Sequence, residues 1–131
     1  RIYMWDQTWK IISKKLLAGW GIGSYPHQWC KTVPEYWCNE TAKYHPHNQY
    51  LMFWVELGIT GLFFYLAILW YLMRQGYRDK NNGGPLVALM IILIIDSLIN
   101  SPLYVRREYQ FFLLSIPLLY SYIRSSTKKI N

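Results

Sequence analysis

Three histidines, two cysteines and seven acidic residues leave this 131-residue chain little from which to build a metal centre. Cys30 and Cys38 have seven residues between them, which is not a zinc spacing, and no carboxylate or cysteine stands at ligand spacing beside His27, His45 and His47. Neither a metal nor another cofactor is therefore expected. Gly19-Trp20-Gly21-Ile22-Gly23 has neither the spacing nor the preceding strand of a dinucleotide fingerprint. The start of the chain also lacks the basic segment, apolar run and small-residue cleavage site of a signal peptide. Because it begins with Arg1, it is read as the C-terminal piece of a longer protein. Acidic residues are outnumbered by 14 Lys and Arg, giving a net charge of +7. Those cations do not gather into one aromatic-interleaved patch, which argues against nucleic acid as a partner.

What is present is apolar and aromatic. Hydrophobic residues make up 53% of the chain and aromatics 18%, yet mean hydropathy is only +0.02, so greasy and polar stretches must be segregated. The N-terminal part is mixed and Trp-rich, whereas residues 50–123 hold nearly all the long apolar runs. Ile2, Trp5, Trp9, Ile12 and Leu16 recur every three or four residues, which predicts an amphipathic helix over residues 1–17, ended by the glycine run and lying at a membrane interface. Trp5, Trp9 and Trp20 suit interfacial anchoring, with stacking on sugars as the alternative. Residues 24–49, with Pro26, Pro34 and Pro46, read as a loop. Within it, Cys30 and Cys38 are a possible disulfide if the loop faces an oxidising compartment, and otherwise two buried thiols.

Three apolar runs follow. Tyr50 to Met73 has one charge, Glu56, and at helical rise spans about 36 Å, enough for a hydrocarbon core of about 30 Å. Pro85 to Leu103 is the second run, with proline at its start, where a missing N–H does no harm. The third, Gln110 to Ile123, is too short alone, so its helix should begin near Leu103 and should kink at Pro117. The expected architecture is all-α and integral to a membrane: an external loop with an interfacial helix over residues 1–49, then three transmembrane helices over residues 50–131. The short cationic segments at 74–84 and after Arg124 assign that side to the cytoplasm.

His45-Pro46-His47-Asn48 stands immediately before the first span. An imidazole, with an unperturbed pKa near 6.5, is neutral at such a boundary and can take a proton from a sugar hydroxyl. The plainer reading is a histidine that caps a helix or reaches for the interface. After nine intervening residues Asn48 is followed by Gly58 and Gly61, which bare one helix face to a close-approaching helix or lipid-linked substrate.

Histidine, asparagine, nine residues and a Gly-x-x-Gly-like turn resemble the signature of the O-antigen ligase family. The opening Arg1-Ile2-Tyr3-Met4-Trp5 and the closing Leu17-Ala18-Gly19-Trp20-Gly21-Ile22-Gly23 are similar to that family's motifs upstream of the histidine. The resemblance implies part of a GT-C type bundle in the bacterial inner membrane, multi-pass, with its active site on the periplasmic side. It implies transfer of a glycan from undecaprenyl diphosphate to a hydroxyl of the lipid A core in lipopolysaccharide biosynthesis, without metal or nucleotide. By position, His47 would be the general base, supported by Asn48, and Arg1 would hold the diphosphate. The family draws a further arginine from an upstream region absent here, so this stretch alone should be inactive. O-antigen polymerases and protein O-oligosaccharyltransferases share much of the signature and remain alternatives, as does a non-catalytic transporter or scaffold subunit.

Glu56 and Asp96 are ionisable residues inside expected spans, where such groups usually face a partner or cavity. Glu56 or Asp96 is expected to pair with Arg106 or Arg107 and turn a cationic wall toward the diphosphate. The alternative is an interhelical pair with no part in binding.

Overall fold

A computed structural model describes residues 1–38 and 45–128, with side chains described through residue 125. Lys129, part of the expected cationic tail, and residues 39–44 of the expected loop lie outside the described residues. The elements are α1 (Ile2–Ile12), α2 (Tyr25–Thr32), α3 (Glu35–Cys38), α4 (Gln49–Arg78), α5 (Gly84–Ile99) and α6 (Arg106–Lys128), with no strand among the described residues. They fall into two compact units, Arg1–Tyr65 with Ser97–Ser101, and Leu66–Asp96 with Pro102–Asn131.

In the first unit α1 stops at Ile12, five residues short of the expected end. The residues after it must turn, because the chain from Leu16 to Gly21 is needed elsewhere. The buried face of α1 also differs from the hydrophobic stripe in the sequence. Thr8, Ile11 and Ile12 point inward, whereas Ile2 is 82% exposed and Trp9 and Leu16 are exposed as well. What selects the inner face is α2, which lies within the expected loop. Pro26 in its first turn preorganises that helix, and its Tyr25 and Trp29 are fully buried against Ile11, Ile12, Met52 and Val55. The Tyr25 hydroxyl meets that of Thr8 at 3.1 Å, so the polar residue on the inner face is satisfied. Burial raises the Tyr25 pKa, and the bond to Thr8 only partly offsets this. Cys30 and Cys38 are disulfide-bonded, their Cα atoms 4.8 Å apart, which ties α3 to α2.

The run expected to be a continuous span is broken. Gly58 in α4 takes φ +70° and ψ −168°. A break frees backbone groups that need partners when buried, and the Leu16–Gly21 segment supplies them. Trp20 and Gly21 N–H donate to the Val55 and Glu56 carbonyls at 2.8 Å, and Ile59 N–H donates to the Leu16 carbonyl at 3.0 Å. Gly19 and Gly58 are both required at this crossing. A Cβ on Gly19 would overlap the Glu56 and Gly58 backbone, and one on Gly58 would overlap the Leu17 carbonyl. Tryptophans pin the same region: the indole N–H of Trp54 donates to the Leu16 carbonyl and that of Trp20 to the Ile11 carbonyl, each at 3.0 Å.

The second unit is plainer. It comprises the last turns of α4, a short polar turn, most of α5, and α6. Asp79 accepts the N–H groups of Asn81 and Asn82, and Gly83 packs so close to the Gly76 carbonyl that a side chain would not fit. Tyr71 and Tyr120 join α4 to α6 through their hydroxyls at 2.8 Å. Pro117 is accommodated inside α6. Among the described residues α4 is the one helix long and apolar enough to cross a membrane, while α5 is apolar but only 16 residues long.

Candidate functional site

Asn48 starts α4. Its side-chain carbonyl accepts the Leu51 N–H at 3.0 Å, the bond of an N-cap. Its amide N–H₂ donates to the Leu98 carbonyl at 3.2 Å, which ties the turn to the end of α5. The residue before it, His47, has φ +50°, in the left-handed region where residues other than glycine are uncommon. Such backbone costs on the order of 1 kcal/mol and persists only where its surroundings impose it. Here both neighbours are held: Asn48 by the bonds above, and Pro46 through its carbonyl, which accepts the Trp5 indole N–H at 3.0 Å.

That indole bond also explains the Arg-x-x-x-Trp spacing. Residues four apart lie on one helix face, so docking Trp5 on Pro46 brings Arg1, one turn back, beside His47. The guanidinium is near enough to depress the imidazole's proton affinity. The His47 pKa is lowered, first by burial and second by Arg1, against an opposing hydrogen bond with the Asn100 side chain. His45 packs on His47 with ring centroids 4.2 Å apart. Burial, with the charge of His47 second, lowers the His45 pKa to about 4. Both rings are therefore neutral at neutral pH. A neutral imidazole held beside a permanent cation can accept a proton while an anionic group is held close by.

The other expected residues are arranged differently. Glu56 does not serve a cation: its carboxylate accepts the N–H of Gly23 at 2.8 Å and that of Tyr25. It thereby caps α2 from another helix, a favourable position for negative charge. Asp96, half-buried in the second unit, forms no ion pair with Arg106 or Arg107 among the described residues. The two arginines open α6 and are exposed. Within the first unit Glu56 is thus a helix-capping carboxylate, because two N–H groups at the start of α2 lie in reach of it. Gly58 is the backbone crossing, and Gly61 lies inside α4 against the Leu57 side chain. Among the described residues no three His, Cys, Asp or Glu side chains converge as metal ligands would.

Two features escaped sequence reading. Trp5 and Trp20 act through their indole N–H groups as clamps on backbone carbonyls, a role that spacing alone does not distinguish from interfacial anchoring. Asn100, at the end of an apolar helix, carries no sequence signal that links it to His47.

A family model described as O-antigen ligase matches residues 1–66, half of the chain, and covers Arg1, the His45–Asn48 turn and the crossing at Gly58. No curated protein and no solved structure matches. The chain belongs to the O-antigen ligase family.

Proposed function

We propose that the protein containing this chain transfers a glycan from undecaprenyl diphosphate to a sugar hydroxyl of the lipid A core, on the periplasmic side of the bacterial inner membrane. The observation that carries this reading is the strained, doubly clamped turn at His47, whose imidazole is kept neutral by burial first and by the charge of Arg1 second. His47 takes the proton of the acceptor hydroxyl as its oxygen bonds to the anomeric carbon. The bond from that carbon to the phosphate oxygen breaks, and the electron pair leaves with the diphosphate, whose charge Arg1 stabilises. Attack opposite the leaving group inverts the anomeric centre. The Cys30–Cys38 disulfide supports an oxidising side for residues 1–49. The apolar α4, the shorter apolar α5 and the apolar run from Phe111 inside α6 support a three-span anchor over residues 50–131, with the break at Gly58 tolerated because protein backbone fills it.

The test is His47→Ala in membranes carrying the full chain, with insertion level and transfer measured together. Removing a general base should lower transfer by about 10²–10⁴-fold at normal insertion. Undiminished transfer would overturn the base, and loss of insertion would assign His47 to the fold instead. Offering lipid A core, a lipid-linked repeat or a protein hydroxyl to the purified protein then separates a ligase from a polymerase or a protein O-oligosaccharyltransferase.

A further inference from the structure

An imidazole base has to present its lone pair, not its N–H, to the hydroxyl it deprotonates. Neutral histidine has two tautomers, and the one present is set by the bond its other nitrogen makes. In this chain that bond comes from Asn100. With its amide oxygen accepting a ring N–H, Asn100 would leave the lone pair of the other ring nitrogen free. The segment carrying Asn100 is itself fixed at several points. The Ser97 hydroxyl meets that of Tyr65 at 2.7 Å in a buried contact. The Leu98 carbonyl accepts from Asn48, and Ser101 is fully buried. One short stretch at the end of α5 thus grips the residue after His47 through its backbone and the His47 ring through a side chain.

We propose that Asn100 is the positioning residue of the site, fixing the tautomer and orientation of His47 so that its free nitrogen faces the acceptor hydroxyl. This deepens the general-base reading above and rests on it. An amide in this place has a consequence that a carboxylate would not. It orients the ring without adding negative charge, so the imidazolium formed in the transfer step gains no ionic support from it. Stabilising charge in the site is then left to Arg1, acting on the departing diphosphate.

The experiment compares Asn100→Ala, Asn100→Asp and His47→Ala in membranes carrying the full chain, following kcat, KM and the pH dependence of transfer. Asn100→Ala should lower kcat on the order of 10²-fold, as misplacing a reacting group does, with KM changed less than about twofold. Asn100→Asp should keep the ring oriented and move the acid limb of the rate profile up on the order of one pH unit, because a carboxylate beside His47 favours its protonated form. A wild-type kcat and pH profile in Asn100→Ala overturns the proposal, as does an acid limb unmoved in Asn100→Asp. Should Asn100→Ala not accumulate, the aspartate variant decides alone. If Asn100→Ala is silent while His47→Ala is dead, only the positioning role falls. If His47→Ala still transfers, the base reading falls and takes this one with it.

Discussion

The two units of this chain use the same apolar amino acids for different ends. In the first, Ile11, Ile12, Tyr25, Trp29, Met52 and Val55 are all at most 2% exposed. Several polar groups there have specific partners: indoles bond to carbonyls, Glu56 to the start of α2, and Asn48 to Leu51 and Leu98. In the second, Leu114 and Leu118 are each 67% exposed, and Trp70, Ile92 and Ile95 are more than half exposed. The first unit is specified atom by atom because it has to hold a strained histidine in one orientation. The second is specified mainly by hydrophobicity, and its apolar side chains stay largely on the outer faces of its helices.

Glycine substitutions test that contrast most severely. Gly58→Ala places a side chain at φ +70° and against the Leu17 carbonyl. It should destabilise the protein by about 4 kcal/mol or more, enough to abolish a melting transition or the protein's accumulation. Gly84→Ala, at the start of α5 where a Cβ meets open space, should leave stability within about 1 kcal/mol of wild type or raise it. Comparable thermal unfolding of the two variants in detergent would mean that the crossing of Gly19 and Gly58 does not organise the first unit.

A charge scan then asks what covers the second unit. Ile92→Arg on the exposed face of α5 should oppose membrane insertion by about 2.5–3.5 kcal/mol if that face lies in hydrocarbon. Ile22→Arg, in the exposed turn of the first unit, should fall within about 0.5 kcal/mol. Equal insertion of both in a glycosylation-mapping assay would place water, not lipid, on that face of α5.

Hydropathy made the long helices legible, because a run from Tyr50 to Met73 with one charge admits few other readings. It could not reveal the break. Gly58 and Gly61 read as a bare packing face, and what distinguishes Gly58 is a positive φ imposed by the Leu16–Gly21 segment, which arrives from another part of the sequence. Periodicity did not give the inner face of α1 for a related reason: Ile12 of its apolar stripe is buried while Ile2, Trp9 and Leu16 are exposed, and Thr8 goes inside, where the Tyr25 hydroxyl meets it. Glu56 looked like one half of an ion pair, since a carboxylate in an apolar run suggests a cation. Two backbone N–H groups can serve it as well, and nothing in residue identity announces them. The residues proposed to carry the chemistry were more visible. Arg1, His47 and Asn48 stand out by type and spacing, and α1 brings Arg1 and His47 together through Trp5. Asn100 was invisible, because one amide at the end of a greasy helix has no pattern to betray it.

The smallest expected effect also divides the units, because His27, His45 and His47 all lie in the first. An unfolded histidine gains its proton near pH 6.5, whereas burial holds the folded His45 neutral down to about pH 4. Between those values the unfolded state binds more protons, so stability is fully present above about pH 6.5 and declines as pH falls toward 4. The ring is only half-buried, and solvent screening keeps the change modest. His45→Gln removes this contribution while the carboxylates of both units titrate as before. The wild-type melting temperature should therefore fall more steeply than that of the variant between pH 6.5 and 4, and the curves should run parallel above pH 7. Parallel curves throughout would show that the paired rings are not held neutral by the fold, and would remove the acid sensitivity assigned to the first unit.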